Sequence, residues 1–450
     1  MYGRVVTPLQ KGRTMIASHW LRVPALGGII FSLAVLGSPA AAAAAAGWSP
    51  ETIIMPSQPS PSLNSFSFTP GGTELWVTSQ PVVGGNLVEA AQRSLGGAWS
   101  PMATIANLHS GFISSAQSLT ASITAGGIAA AAWSIGGGVQ ISLRSAAGTW
   151  SAPVGFATSG SASNLVERLD AQGNGVATWA QTTATVPVIE AVTWNAAGAF
   201  GSVTQVSSST QGAAQPDLAV NEAGTAVVVW QAFAPNDNGN PNQIESATRP
   251  AGGSWSVATA VSPVMSATWT PRVALDSAGA ATAVWQQGGI NIDVSTRPAG
   301  GSWASPVDVE TSGWITAGDE AIAADSSGNV TATWVSSQSG SALVRSATRP
   351  AGGAFGAPTT LAPCGTQGCS PVLAVARDGS IAVVGFSPAG ATSSNVAVRL
   401  GQGSWAPMKV GTTALPVGYV AATIGARATA LWIVGIPVKY HNALKQSDFA

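Results

Sequence analysis

Residues 246–255 read SATRPAGGSW, and close copies recur at 294–303 (VSTRPAGGSW) and 346–355 (SATRPAGGAF). The final aromatic residue marks a repeat of 48 to 55 residues, with equivalent positions at Trp48, Trp99, Trp150, Phe200, Trp255, Trp303, Phe355 and Trp405. A second aromatic position recurs in the same units, at Trp76, Trp133, Trp179, Trp230, Trp285, Trp334, Phe386 and Trp432. A repeat of this length predicts one body of stacked units rather than several separate domains.

Each unit predicts four short strands separated by turn signals. Residues 217–230, DLAVNEAGTAVVVW, contain a first strand, a turn closed by Gly224 and a second strand ending in Trp230. A third strand such as QIESAT, the RPAGG turn and a fourth strand with GSW complete the unit. Four antiparallel strands bury both faces only when units stack radially, which predicts an all-β fold: a single eight-bladed β-propeller spanning residues 47–450. We expect the N-terminal segment GWSPETI to supply the fourth strand of the last blade and close the ring.

The turn followed by tryptophan resembles the repeats of sialidase-type Asp-box propellers and of quinoprotein propellers. Here Asp170, Gly173 and Trp179 are spaced three and six residues apart, whereas Asp-box motifs place the glycine two residues after the aspartate. The resemblance therefore implies the architecture of a propeller repeat protein, and no ligand residue of either family is carried over.

The first 46 residues have the layout of a signal peptide. They contain four basic and no acidic residues, an apolar run from Ala25 to Leu36, and an alanine tract with several A-x-A cleavage sites. We therefore expect residues 1–46 to be removed and the rest to be secreted, with no membrane insertion; the alternative is an uncleaved anchor. The remaining chain has 14 basic and 19 acidic residues, so a basic surface for nucleic acid is not expected.

The cysteines of the chain, Cys364 and Cys369, predict a local disulfide in an exported protein. Without histidine partners they are a poor metal site, and we expect no metal and no cofactor. The turn residues such as Asp170 and Asp276 are better explained by side-chain bonds to the turn backbone than as calcium ligands. The recurring arginine six residues before the aromatic marker, as in Arg249, is better explained by packing and cation–π contact than as an anion ligand.

The loops that vary between units favour one face of the predicted disc as the functional surface. The connections around the Asp and RPAGG turns are nearly constant, whereas those of the other face vary widely, and binding residues tend to lie on variable loops held by a rigid scaffold. The predicted ligand-binding residues of this face, the candidate rim site, are two aromatic residues outside the repeat and four residues near the starts of first strands: Trp269, Trp314, Asp217, Arg272, Glu320 and Tyr419. Glu167 lies at the same level. The alternatives are that the tryptophans fill gaps under loops and that the charges are solvated rim charges.

Catalytic signatures are mostly missing from the sequence, and no catalytic residue is predicted. After residue 46 there are two histidines, His109 and His441, and no G-x-S-x-G, P-loop or H-E-x-x-H motif. A multivalent lectin would repeat a polar ligand set in every unit, which AVVVW and its relatives do not. We therefore expect a non-catalytic binding module, monomeric, with a glycan, peptide or surface protein as its extracellular ligand. The alternative is a glycan-processing propeller enzyme, in which two carboxylates such as Asp217 and Glu320 would act as acid and base.

Overall fold

The computed structural model describes most of the repeat region and four two-residue strands near the N-terminus. Its residues are 2–3, 21–22, 52–53, 58–59, 63–69, 71–82, 85–94, 97–109, 118–135, 138–157, 160–233, 243–264, 268–310, 314–315, 320–338, 341–365, 369–386, 393–412, 417–424, 428–436 and 441–449. These residues form strands, turns and irregular segments, with no helix among them. Accordingly, no helical stretch in the described ranges is suited to crossing a membrane.

Antiparallel sheets follow one another along the chain, and each of the first five contains four consecutive strands. Numbered in chain order, their bounds are, for sheet 1, Leu63–Phe68, Glu74–Val82, Gly85–Arg93 and Ala103–His109; for sheet 2, Ser118–Ile123, Ala129–Ile135, Gly138–Arg144 and Val154–Ala157; for sheet 3, Ala162–Leu169, Gly175–Gln181, Val188–Trp194 and Thr204–Gln205; for sheet 4, Gly212–Val220, Ala226–Phe233, Gln243–Arg249 and Thr259–Ala260; and for sheet 5, Thr268–Leu275, Ala281–Gln287, Asn291–Arg297 and Val307–Glu310.

The later sheets keep this order with two departures. The first strand of sheet 6 is split into two pieces, and sheet 8 has three consecutive strands to which two N-terminal pieces are added. Their bounds are, for sheet 6, Trp314–Ile315, Ala321–Ala324, Val330–Gln338, Ser341–Arg349 and Thr359–Gly365; for sheet 7, Val372–Val375, Ile381–Phe386, Ser393–Leu400 and Trp405–Thr412; and for sheet 8, Val417–Ile424, Ala428–Ile436 and His441–Phe449, with Thr52–Ile53 and Gln58–Pro59. A separate pair, Tyr2–Gly3 with Leu21–Arg22, lies within the predicted signal peptide; the other residues of that segment lie outside the described ranges.

The core lies between neighbouring sheets. The second-strand aromatics of sheets 2 to 7 are essentially completely buried. Each belongs to an apolar cluster shared with the preceding sheet: Trp230, for example, packs with Ile189 and Ala191 of sheet 3. The first strands of successive sheets also contact one another from sheet 1 to sheet 8. This arrangement of stacked four-stranded units is the one predicted for a propeller, and it explains why the tryptophan recurs once per repeat.

The turn between the first and second strands is held by its own aspartate, as predicted. Asp170 Oδ1 accepts the backbone N–H groups of Gln172 and Asn174, each at 2.9 Å. An equivalent Oδ1 contact to the residue four positions later occurs at Asn221, Asp276 and Asp325. Asp378 differs from this pattern because it accepts hydrogen bonds from Ser380 within a turn that starts two residues earlier. The turn aspartates therefore stabilise the backbone locally.

Three pairs of successive turns also interlock, which explains the glycine that recurs there. Gly224 has a φ of +86°, and a Cβ atom at this position would lie 2.9 Å from Oδ2 of Asp170 in the preceding sheet. The same approach occurs between Gly328 and Asp276 and between Gly379 and Asp325. Glycine is therefore required for two reasons: it tolerates the positive φ, and it has no Cβ atom that would collide with the neighbouring aspartate.

The recurring arginine packs and bonds within the sheet stack, as the packing interpretation predicts. Its guanidinium lies over the aromatic marker in three units, at 5.6 Å for Arg93 and Trp99, 5.6 Å for Arg297 and Trp303, and 5.1 Å for Arg399 and Trp405. In three units it also donates a hydrogen bond to a threonine of the preceding sheet: Arg297 to Thr248, Arg349 to Thr282 and Arg399 to Thr331. These contacts join the third strand of one sheet to the second or third strand of the sheet before it.

The predicted disulfide is present between Cys364 and Cys369. Both residues are buried, at 1% and 8% exposure, in the cluster between sheets 6 and 7 that includes Phe386. The pair is therefore part of the core rather than an accessory of a surface loop.

Candidate functional site

Three candidate rim residues, Trp269, Asp217 and Arg272, lie on the first strands of sheets 4 and 5, where both strands carry a β-bulge. The register of the first strand shifts between Ala214 and Asp217 in sheet 4, and between Trp269 and Arg272 in sheet 5. A similar shift separates Ser163 from Val166 in sheet 3. A bulge re-aims the side chains around it and is common next to functional sites. The bulges therefore set the directions in which the rim residues point.

The bulges place non-glycine residues in the left-handed region of backbone space. Gln215 and Thr270 have φ angles of 51° and 45°, and Asn164 of sheet 3 has 51°. The residues that follow the first two are Pro216 and Pro271, which have no N–H group and so lose nothing by lying in the unpaired part of a strand. Such conformations cost of order 1 to 3 kcal/mol and persist only where the surroundings fix them.

Asp217 connects sheet 4 to sheet 5. Its Oδ2 atom accepts the backbone N–H of Val273 at 2.8 Å. Val273 lies on the first strand of sheet 5, whose other neighbour is the second strand, so the aspartate satisfies a donor on the open edge of that strand. Ser65 and Ser67 of sheet 1 do the same for Ala121 and Ile123 of sheet 2, at 2.8 and 3.0 Å. Asp217 is half-buried, and its hydrogen bond to Val273 fixes the position of its carboxylate.

Glu320 connects sheet 6 to sheet 5. Its Oε2 atom accepts the hydroxyl of Thr270 at 2.6 Å, and its backbone carbonyl accepts Nε–H of Arg272 at 3.2 Å. Nη1 of Arg272 donates to the carbonyl of Pro271 at 3.4 Å. Within the described ranges Nη2 of Arg272 makes no hydrogen bond, so a half-buried and oriented guanidinium retains donors for a ligand. Trp269, also half-buried, lies on the other side of the same bulge.

Glu167 is the most enclosed carboxyl group at this level of the sheets. It is fully buried, and its Oε2 atom accepts the hydroxyl of Ser122 from sheet 2 at 2.7 Å, while Oε1 has no hydrogen-bond partner in the described part of the chain. Burial raises the pKa of Glu167 to about 7, and the hydrogen bond from Ser122 offsets part of this effect. The interpretation of Glu167 and Glu320 as solvated rim charges is wrong, because they are 0% and 3% exposed.

Two candidate rim residues are described through their backbone alone. Trp314 begins the short strand Trp314–Ile315, which pairs with Ser336 and Ser337 of the second strand of sheet 6. Tyr419 lies in the strand Val417–Ile424 and pairs with Ile433. Their side chains lie outside the described part of the structure, so their place in the site stays a prediction.

The sequence prediction missed Thr270 and Ser122, the two hydroxyls that hold the buried glutamates. A signal for Thr270 was present: a proline two residues after Trp269, inside a strand pattern, indicates a bulge. Among the described residues no group of three or more His, Cys, Asp or Glu side chains is arranged to hold a metal ion. The site therefore offers a half-buried ring, one oriented guanidinium and two buried carboxyl groups.

Comparison with known proteins supports the fold. No family model matches the chain, and no curated protein matches it. Among solved structures it is similar to the BP39L lectin from Burkholderia pseudomallei at 14% identity, with a TM-score of 0.53, over 77% of this chain and 98% of the lectin. It is also similar to the polysaccharide lyase Uly1 at 9% identity, with a TM-score of 0.50, over 94% of this chain and 97% of the lyase. At these identities the likeness shows a β-propeller-like fold alone.

Proposed function

We propose that this chain is an exported, non-catalytic β-propeller that binds an extracellular glycan at the candidate rim site. The observation that carries the proposal is the guanidinium of Arg272, which is oriented by two backbone carbonyls and retains Nη2 for a ligand. Trp269 flanks the same bulge with a half-buried ring. An aromatic face beside fixed polar donors suits the apolar face and the hydroxyls of a sugar.

The architecture that we propose for this module is a closed ring of eight blades. Two features support it: Thr52 and Ile53 pair with Gln446 and Lys445 of the last sheet, and the strand Val417–Ile424 of sheet 8 contacts Leu63–Phe68 of sheet 1. The N-terminal pieces thus occupy the fourth-strand position of sheet 8. Export through cleavage of residues 1–46 is part of the same proposal, and the disulfide between Cys364 and Cys369 supports it because disulfides persist in oxidising compartments.

A glycan array probed with residues 47–450 tests the proposal, followed by calorimetric titration of the best ligand. Arg272→Gln and Trp269→Ala should each weaken binding by about 1 to 3 kcal/mol, because aromatic and arginine anchors dominate binding sites. Arg377→Gln, at an exposed position in the turn between the first two strands of sheet 7, where the side chain pairs with Glu222, is the control and should leave affinity unchanged. Capture of a peptide or a surface protein instead of any glycan would contradict the choice of ligand, and equal affinities for all variants would contradict the site.

A second candidate function is glycan processing, and one observation favours it. Glu167 is a buried carboxyl group whose pKa is raised to about 7, the property expected of a general acid. Incubation with a polysaccharide panel, followed by measurement of newly formed chain ends, separates the two functions. Turnover that is lost in Glu167→Gln would establish the enzyme, whereas recovery of intact ligand supports the binding module.

A further inference from the structure

A groove of about 740 Å³ separates the outer strands of sheets 3 and 4, away from the rim site. One wall is formed by Ala191, Thr193 and residues 201–202 and 204–208 of sheet 3. The other is formed by Arg249 and residues 253–258 of sheet 4, including Trp255. The volume lies within the range of small-molecule sites. The groove contains the recurring arginine and the aromatic marker of sheet 4, Arg249 and Trp255. Comparing their contacts with those of the equivalent residues in other sheets shows how this groove differs.

The indole of Trp255 lacks the hydrogen bond that its counterpart makes. In sheet 5, Nε1 of Trp303 donates to Oγ of Ser246 in sheet 4 at 2.7 Å. Ser246 pairs with Val229, the residue before Trp230. In sheet 3 the equivalent residue, which pairs with Thr178 before Trp179, is Ala191. Alanine offers no acceptor, and within the described ranges Trp255 makes no side-chain hydrogen bond. Its ring is half-buried and packs on the cluster between sheets 3 and 4.

The guanidinium of Arg249 lacks the hydrogen bond that its counterparts in sheets 5, 6 and 7 make. Arg349 and Arg399 donate to Thr282 and Thr331, which lie three residues before the buried tryptophan of the preceding sheet. The corresponding residue of sheet 3 is Val176, which has no hydroxyl group. Thr193, in the groove wall, is the counterpart of Thr248, which accepts a hydrogen bond from Arg297. The side chain of Arg249 nevertheless makes no hydrogen bond or ion pair in the described part of the chain.

The positive charge of Arg249 is not balanced by an acidic residue among the residues that line the groove. Desolvation by burial lowers the pKa of Arg249, but an arginine side chain stays charged at neutral pH. The residues that line the groove include serines, threonines and Gln205, and no aspartate or glutamate is among them. A half-buried cation with free donors favours an anionic partner that accepts two parallel hydrogen bonds.

From this arrangement we infer a second ligand site, in which the groove binds an acidic saccharide: Trp255 contacts the sugar ring, Arg249 binds its carboxylate, and the groove hydroxyls bind its hydroxyl groups. The site is independent of the rim site, because the two share no residue. It also gives the recurring Arg–Trp pair a ligand role in a groove where neither the guanidinium nor the indole makes the sheet-to-sheet hydrogen bond of its counterparts.

Titration with a galacturonate trisaccharide and with its neutral methyl ester tests the inference. The acid should bind and the ester should bind about 10- to 100-fold more weakly, since the ester removes the charge that Arg249 reads. Arg249→Gln should abolish this discrimination without changing the melting temperature. Arg297→Gln is the matched control: it removes a contact between sheets, so it should lower the melting temperature and leave the affinity unchanged.

A gain-of-contact variant provides the converse test. Ala191→Ser supplies the acceptor that Ser246 provides for Trp303, and it should draw the indole of Trp255 to sheet 3, raise the melting temperature and weaken binding of the trisaccharide. The inference is overturned if the acid does not bind, if acid and ester bind equally, or if Arg249→Gln retains full affinity. Loss of binding in Trp269→Ala alone would assign the ligand to the rim site and overturn the groove.

Discussion

The hydroxyl of Thr270 lies 2.6 Å from Oε2 of Glu320, although the two residues are 50 positions apart and belong to different sheets. Both are buried, so Thr270→Val removes a donor from a carboxyl group that water does not reach. We expect the free energy of unfolding to fall by about 1 to 3 kcal/mol, measured by chemical denaturation. Thr149→Val, at an exposed position, is the control and should change it by less than about 0.5 kcal/mol; equal effects would contradict the role of the contact.

The buried carboxyl group of Glu167 should make stability depend on pH. Its pKa rises from 4.5 to about 7 on folding, so the folded state holds the proton more tightly than the unfolded chain. This contribution is complete below pH 4.5, is lost as pH rises to about 7, and amounts to about 3 kcal/mol. Denaturation curves of Glu167→Gln should lack this part of the slope.

Asp293 provides the matched comparison for the pH experiment. Burial, together with the hydrogen bond and repulsion from Asp308, raises the pKa of Asp293 to about 7 as well. Asp293→Asn should therefore remove a separate part of the same slope and leave the part that belongs to Glu167. A pH profile of Glu167→Gln that matches the parent protein would show that this carboxyl group is not enclosed as described.

The interlocked turns predict a difference between two glycines. Gly224→Ala places a methyl group 2.9 Å from Asp170 and also strains the backbone, whereas Gly252 has a similar φ of +66° with no atom within 4 Å of an added Cβ. Gly252→Ala should cost about 1 to 2 kcal/mol for its conformation alone. Gly224→Ala should cost clearly more in thermal or chemical unfolding. Equal costs would show that the turns do not approach each other.

The pairing of the N-terminal pieces with sheet 8 predicts that they are needed for solubility. Deleting residues 47–59 removes the partners of His441–Phe449 and exposes a strand edge. The truncated protein should aggregate or melt far below the full 47–450 chain, as judged by size-exclusion chromatography and thermal unfolding. A truncated protein that is monodisperse and melts normally would contradict the proposed closure.

Removing the disulfide should lower the free energy of unfolding by an amount that depends on which residues replace the cysteines. The bond spans five positions, so its loss should cost about 2 kcal/mol through unfolded-chain entropy. Cys364 is 1% exposed, so a serine at this position would bury a hydroxyl group. The variant Cys364→Ser/Cys369→Ser should therefore lose more free energy of unfolding than Cys364→Ala/Cys369→Ala, as measured by chemical denaturation. Equal stabilities of the two variants would contradict the core position of the pair.

The repeat predicted the four-stranded units, their turns and the buried tryptophans, since each depends on local residues at a constant spacing. The rim residues were placed less well, because bulges shift the first strands. Alternation of apolar and polar residues does not reveal the extra residue at Gln215 or Thr270. Glu320 was predicted as a ligand-binding residue of the rim, whereas the structure buries it and pairs it with the hydroxyl of Thr270. The groove was missed because it depends on hydrogen bonds that Trp255 and Arg249 do not make. For Trp255 the reason becomes visible only when Ala191 is compared with its counterpart Ser246.

The contact between Gly224 and Asp170 has a consequence for how such a chain can lengthen. The unit of sheet 6 supplies Gly328 to Asp276 of the unit before it and Asp325 to Gly379 of the unit after it. A duplication of such a unit therefore delivers both residues of the new contact together. Lengthening by duplication therefore needs no new contact residues at the junction between units. Differences between units arise at other positions, such as Ala191, where the hydroxyl group of the equivalent Ser246 is absent and a groove is open.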